Sequence, residues 1–141
     1  MAGFLLDTNV LSEFARAQPA DLRVDRWLKA TPDDVLFASV LTFAEIRRGI
    51  ELLPAGKRRT QLEIWQADIE ASFASRLLPV TKAIGDQWAI LSAQAQRRGT
   101  PPAIMDGFIA ATALEHGLTV TTRNVKDFVG LGVTTLNPWD T

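Results

Sequence analysis

Four acidic residues stand in settings that are unusual for a charged side chain. Asp7, Glu45 and Asp106 each lie in or directly after a mostly apolar segment, and Asp127 follows a β-rich stretch. Burying a lone carboxylate is costly, and several carboxylates brought together repel one another unless a cation neutralises them. A hard divalent ion with oxygen ligands meets both conditions, and Mg²⁺ suits a few carboxylates plus waters. The four residues are therefore candidate metal ligands.

Each of these acids also has an ordinary structural explanation. Asp7 can begin a turn or cap a helix, and Glu45 can be a solvated helix residue paired with one of the two arginines that follow it. Asp106 can be favoured by the positive end of a helix dipole. Asp127 can be a surface loop acid. Taken singly these signals are weak, so the metal hypothesis depends on whether the fold brings the four together.

The elements that position these acids alternate between strand and helix patterns. The sequence predicts strands over residues 3–6, 35–40, 77–80, 118–122 and 133–136. It predicts helices over residues 8–17 (capped by Thr8 or Asn9), 21–30, 41–53, 57–75, 83–98 and 104–116. This alternation indicates an α/β domain with a central, mainly parallel sheet flanked by helices. Sites in such sheets collect at the carboxyl ends of strands, where Asp7, Asn124 and Asp127 fall.

Composition limits the classes of function. The 141 residues fit one domain, no apolar run approaches the roughly 20 residues of a membrane span, and the first residues lack the basic segment of a secretory signal. We therefore expect a cytoplasmic protein. The absence of cysteine and the single histidine exclude thiolate and His-rich zinc sites. The net charge of −1, from 15 basic and 16 acidic residues, lacks the basic excess of a dedicated nucleic-acid binder, so any phosphate contacts must be local.

Several segments together resemble one family over nearly the whole chain, from Phe4 to Trp139. They are residues 5–13 (LLDTNVLSE), 39–50 (SVLTFAEIRRGI), 106–113 (DGFIAATA), 121–128 (TTRNVKDF) and 136–139 (LNPW). In order, spacing and total length they resemble the PIN-domain ribonucleases, and among these the VapC toxins of bacterial toxin–antitoxin pairs, especially the FitB-like branch. The resemblance implies a single PIN domain over residues 1–141, with an α/β/α sandwich fold.

The resemblance also implies a function and a set of site residues. Asp7, Glu45 and Asp106 match the acids that bind Mg²⁺, or Mn²⁺ in its place, and we expect Asp127 as the fourth catalytic acid, with Asn124 orienting water or a ligand. The implied activity is a metal-dependent endoribonuclease that hydrolyses RNA phosphodiester bonds. The resemblance further implies that the protein is the toxin of a type II toxin–antitoxin system and is inhibited by a cognate antitoxin. The alternative is a non-catalytic RNA- or protein-binding module that retains the PIN fold.

Further residues are expected to support the site. Thr8 and Asn9 would position the Asp7 carboxylate through the turn, and Glu13 would face the same region, although helix capping and a solvated face explain these residues as well. Basic residues near the acidic segments are candidate phosphate contacts, namely Arg16, Arg47, Arg48 and Arg123. The resemblance implies a homodimer, for which the apolar helices around Trp65 or Trp88 could supply the interface.

Overall fold

Five strands and six α-helices alternate along the chain in a computed structural model, which describes residues 3–15 and 21–141. The strands are β1 (Phe4–Leu6), β2 (Leu36–Ser39), β3 (Leu77–Leu78), β4 (Thr119–Thr121) and β5 (Thr135–Leu136). The α-helices are α1 (Thr8–Leu11), α2 (Leu22–Ala30), α3 (Val40–Glu51), α4 (Lys57–Phe73), α5 (Lys82–Arg97) and α6 (Ile104–His116).

The five strands form one parallel sheet in the order β3-β2-β1-β4-β5. In the centre, Phe4 of β1 is in register with Leu36 of β2 on one side and with Thr119 of β4 on the other. Parallel neighbours need crossover connections, and the helices between the strands provide them. The predicted parallel α/β architecture is confirmed.

Both faces of the sheet are covered, as adjacent residues of β1 demonstrate. Leu5 packs into a cluster formed largely with α5 and α6, including Leu91 and Ile109. Leu6 packs into a second cluster with residues of α1 to α4, including Val24 and Phe43. Successive side chains of a strand point to opposite faces, so a strand buried on both faces reads as the continuous apolar run seen in the sequence. The α/β/α sandwich is thereby established.

Several element boundaries differ from the predicted ones, and local hydrogen bonds explain them. Helix α1 is capped by the Asp7 side chain, rather than by Thr8 or Asn9, and gives way to a 3₁₀ turn at Ser12–Ala15. Helix α3 begins at Val40 because the Ser39 hydroxyl caps it by accepting from the Leu41 N–H at 3.0 Å. Strand β3 ends before Pro79, which has no N–H to donate to a neighbouring strand.

The topology fixes where a site can form. Asp7 follows β1, α3 begins directly after β2, and Thr122 follows β4, so all three lie at the carboxyl edge of three adjacent parallel strands. Among the described helices, none combines the length and the apolar character required to span a bilayer.

Helix α6, which carries Asp106, packs closely against α5 through a glycine. A Cβ added at Gly107 would lie 3.0 Å from two ring atoms of Trp88, whose ring is stacked on Phe108 at a centroid distance of 4.9 Å. We expect Gly107→Ala to lower the free energy of unfolding by about 1 kcal/mol, because crowding outweighs the gain in helix propensity.

The matched control is Gly85→Ala, within α5, where an added Cβ would meet nothing within 4 Å. This variant should gain about 0.5–1 kcal/mol from helix propensity alone. Urea denaturation of both variants measures the difference, and equal stabilisation of the two would contradict the close packing of α5 and α6.

Candidate active site

Asp7 is held in place from three directions at the end of β1. Its Oδ1 accepts from the Thr8 backbone N–H at 2.9 Å, and its Oδ2 accepts from the Thr122 hydroxyl at 2.9 Å. Its own N–H donates to the Thr121 carbonyl oxygen at 2.9 Å, which extends the pairing with β4. The side chain is only 8% exposed. The carboxylate therefore has a fixed orientation, and the Thr8 N–H contributes to it through the turn.

Thr122 connects the residues at this carboxyl edge of the sheet, and no sequence pattern predicted that role. Its hydroxyl donates to Asp7 and accepts from the Asn9 amide at 3.3 Å and the Asn124 N–H at 3.0 Å. A hydroxyl has one proton and two lone pairs, so its hydrogen-bonding capacity is fully used. The side chain is completely buried. The available signal in the sequence was its position as the last residue of the strand predicted over residues 118–122.

Asn9 connects the loops that follow β1 and β4. While its amide donates to Thr122, its Oδ1 accepts from the Arg123 N–H at 3.1 Å. Glu13 is buried, and its carboxylate accepts from the N–H of Asp21, the residue that caps α2. Asn9 therefore binds the two central strand ends together, whereas Glu13 anchors the start of the next helix.

Glu45 reaches the same edge from α3. Its Oε1 accepts from the Thr8 hydroxyl at 3.2 Å, so Thr8 contacts Asp7 through its backbone and Glu45 through its side chain. Partial burial raises the pKa of Glu45; the Thr8 hydrogen bond opposes this, and the nearby charge of Asp7 adds to it. The neighbouring Arg47 pairs instead with Glu51, at 3.0 Å.

Asp106 is the most strongly perturbed of the four acids. It lies in the first turn of α6, where burial, followed by the charges of Asp7, Asp127 and Glu45, raises its pKa to about 6. Asp127, on the 3₁₀ turn Val125–Phe128, is exposed. Asp106 and Asp127 line one groove with a volume of about 710 Å³, here named the acidic groove. The fold thus brings the other three predicted acids within electrostatic range of Asp106.

The chemistry of this cluster fits a hard cation that keeps part of its water shell. Within residues 3–15 and 21–141, no three acidic or histidine side chains form a group that is placed to hold a metal ion. Mg²⁺ characteristically binds through one or two carboxylates and retains several waters, so an open set of oxygen donors suits it. The raised pKa of Asp106 reflects first its burial and then the repulsion of neighbouring carboxylates, and a bound divalent cation would offset both costs of ionisation.

The remaining candidate residues surround this centre. Asn124 precedes the 3₁₀ turn that carries Asp127, and its N–H donates to Thr122. The Arg123 guanidinium lies over the ring of Trp139, 5.1 Å from its centroid. Arg48 is exposed on α3. Arg16 lies outside the described residues.

Comparisons with known proteins agree with this architecture. The PIN domain model matches residues 4–129. Two relatives are VapC ribonuclease Y4jK of Sinorhizobium fredii, 39% identical, and Toxin FitB of Neisseria gonorrhoeae, 40% identical; in each case the match covers 96% of this chain and 97% of the relative. The crystal structure of FitAcB from Neisseria gonorrhoeae superimposes with a TM-score of 0.90 at 40% identity, covering 98% of this chain and 99% of that chain.

This parallel α/β domain, with acidic residues near its strand ends, therefore has the PIN-domain fold. The chain belongs to the PIN-domain family and, within it, to the group that contains the VapC and FitB toxins. The resemblance inferred from the sequence segments is confirmed.

The raised pKa of Asp106 predicts a pH-dependent stability in the absence of divalent ions. Well below pH 3.8 the carboxyl is protonated in both the folded and the unfolded state. Between pH 3.8 and about 6 the unfolded state ionises while the folded state still holds its proton, so stability falls as pH rises and levels off once both are ionised. Asp106→Asn removes this cost. We expect it to raise the free energy of unfolding by about 1–2 kcal/mol at pH 7.5, after allowance for solvent screening.

The measurement is urea denaturation in EDTA at pH 4 and pH 7.5. At pH 4, close to the pKa of the unfolded carboxyl, most of the difference between the variant and wild type should be gone. A stabilisation that is the same at both pH values would show that it does not come from Asp106 ionisation.

Thr122 offers a test of how Asp7 is positioned. Thr122→Val preserves the side-chain shape but leaves the Asp7 Oδ2 without its donor and two further donors without their acceptor. We expect a loss of about 1–3 kcal/mol in the free energy of unfolding. Thr122→Ser keeps the hydroxyl and should retain more of the stability than Val does. A valine variant as stable as wild type would contradict the role of the hydroxyl.

Proposed function

We propose that this protein is a Mg²⁺-dependent endoribonuclease, the toxin of a type II toxin–antitoxin system, acting in the cytoplasm. The observation that carries the proposal is the arrangement of four acids from separate elements: Asp7 after β1, Glu45 on α3, Asp106 in the first turn of α6 and Asp127 on the 3₁₀ turn after β4. Burial, and then the charges of the other three, raises the pKa of Asp106 to about 6. Like charges held this close on a folded surface are typical of a site that works with a cation bound. The names of the VapC and FitB relatives support the ribonuclease and toxin assignments.

In this proposal Asp7, Glu45 and Asp106 hold the ion, and Asp127 is the fourth acid. Bound Mg²⁺ supplies the positive charge that activates water and screens the phosphate; Mn²⁺ could replace it. The protein supplies orientation: the Thr122 hydroxyl and the Thr8 N–H fix the two oxygens of Asp7. Such preorganisation of ligands by neighbouring hydrogen bonds is what a precise metal site requires.

The supporting residues act around this centre. The Thr8 hydroxyl orients Glu45, and Asn9 ties the two strand ends together. Asn124 lies beside Thr122 and is proposed to orient water or a ligand. Arg123, whose N–H is bound by Asn9, is proposed as a phosphate contact at the edge of the site. Glu13 is proposed to act indirectly, by fixing the start of α2.

The proposed partners are an RNA substrate, a cognate antitoxin and a second copy of the chain. The structure of FitAB bound to a DNA fragment matches this fold with a TM-score of 0.89, and this match supports an antitoxin as a partner. An antitoxin tail with a basic side chain would complement the acidic cluster. For a homodimer, exposed Ile64 and Ile90 lie in α4 and α5 close in sequence to Trp65 and Trp88, where burial of apolar surface could stabilise an interface.

The test is cleavage of single-stranded RNA by wild type and Asp7→Asn, with Mg²⁺, with Mn²⁺ and with EDTA. Asparagine caps helices as well as aspartate does, so the variant should fold. We expect cleavage to fall by about 100-fold or more in the variant, since even outer-shell changes at metal sites cost 10–100-fold, and to stop in EDTA.

Asp34→Asn is the matched control, because it removes the same charge from an exposed residue near the opposite end of β2. It should cleave like wild type. Metal-independent cleavage, or full activity in Asp7→Asn, would contradict the proposal. RNA binding by wild type with no cleavage under any of these conditions would favour the non-catalytic binding module instead.

A further inference from the structure

The acidic groove continues away from the carboxylates between two loops. One wall comes from the loop that precedes α6 and the other from the loop that follows the 3₁₀ turn at Val125–Phe128. The lining residues are Thr100, Pro101, Pro102, Ala103, Asp106, Lys126, Asp127, Val129, Gly130 and Leu131. Its volume of about 710 Å³ lies within the range of small-molecule sites.

Both walls of the groove are fixed by the fold. Phe128 and Leu131 are buried in the core cluster beneath α5 and α6, which anchors the second loop from below. The Arg98 guanidinium donates to the Gly130 carbonyl oxygen at 2.6 Å and ties that loop to the end of α5. Opposite it, the rings of Pro101 and Pro102 restrict the backbone of the first loop. The groove is therefore a preformed surface.

Lys126 is the only basic residue among those that line the groove. It is exposed, and among the described residues it takes part in no salt bridge. Two of the arginines near the acids have contacts of their own: Arg47 pairs with Glu51, and Arg123 lies over Trp139. The Lys126 ammonium thus lines the same groove as Asp106 and Asp127 and forms no salt bridge among the described residues.

The groove combines three chemical features in one place. Its lining includes the proposed metal ligand Asp106 and the fourth acid Asp127, the ammonium of Lys126, and apolar residues such as the highly exposed Val129. A nucleotide has groups that complement these features: its phosphate can bind the Lys126 ammonium and a bound metal ion, and its sugar and base have apolar faces that can pack against the walls. Lysine binds phosphate as a point charge, with no demand on the identity of the base.

We propose that the acidic groove holds a nucleotide adjoining the scissile phosphate of a single-stranded RNA and that Lys126 is a phosphate-binding residue. This inference rests on the proposed nuclease function and deepens it. Because phosphate contacts carry no sequence information, Lys126 should contribute equally to RNAs of different sequence.

The test uses fluorescein-labelled single-stranded RNA oligonucleotides of two different sequences, with wild type, Lys126→Ala and Lys126→Arg. Cleavage rates are measured in Mg²⁺ over a range of salt and RNA concentrations. For Lys126→Ala we expect KM to rise by about 5- to 10-fold for both RNAs, with a smaller change in kcat, and the slope of log(kcat/KM) against log[salt] to become shallower by about 0.7–1. Lys126→Arg should restore most of the loss.

Lys57→Ala is the matched control, since Lys57 carries the same charge at the exposed start of α4 and does not line the groove. Thermal denaturation should show that all variants fold. If wild type cleaves RNA and Lys126→Ala shows the same KM and salt slope, the inference is overturned while the proposed function stands, and the groove is better assigned to a protein partner. If wild type cleaves neither RNA, the proposed function and this inference fail together.

Discussion

Repulsion between carboxylates at one edge of a parallel sheet is the constraint on which this structure depends. Asp7, Glu45 and Asp106 come from three different parts of the chain: Asp7 follows β1, Glu45 lies on α3, which begins directly after β2, and Asp106 lies in the first turn of α6. Burial, followed by the charges of these neighbours and of Asp127, raises the pKa of Asp106 to about 6. A flexible chain would relieve such repulsion by separating the charges. The fold must therefore be rigid enough to hold them together.

That rigidity comes from burial on both faces of the sheet and from hydrogen bonds across its end. Leu5 and Leu6 are fully buried in opposite clusters, so β1 cannot shift without disturbing both. At the strand end, the Thr122 hydroxyl joins Asp7, Asn9 and the chain after β4. A buried hydroxyl with every hydrogen-bonding position filled is costly to disturb. Burial of the apolar core thus stabilises a fold in which the clustered carboxylates are electrostatically unfavourable.

The sequence predicted the parts of this arrangement that depend on local pattern. Apolar runs and helical spacing were sufficient to predict the parallel sheet. The apolar surroundings of Asp7 and Asp106 were sufficient to make them candidate metal ligands. The contacts that orient the acids could not be predicted, because Thr122 lies 115 residues from Asp7 and their hydrogen bond exists only after β1 and β4 pair. The same holds for Lys126: its place in the acidic groove depends on how two distant loops meet.

The overall charge of −1 now has a physical interpretation. An acidic edge with few unpaired basic groups repels RNA as long as the carboxylates are ionised and no cation is bound. Under the proposed function, metal and RNA therefore favour each other's binding, and by thermodynamic linkage the coupling is equal in both directions. A basic side chain from an antitoxin would satisfy the same carboxylates without presenting a phosphate. One electrostatic feature, an acidic cluster that needs a cation, would then account for both the activity and its inhibition.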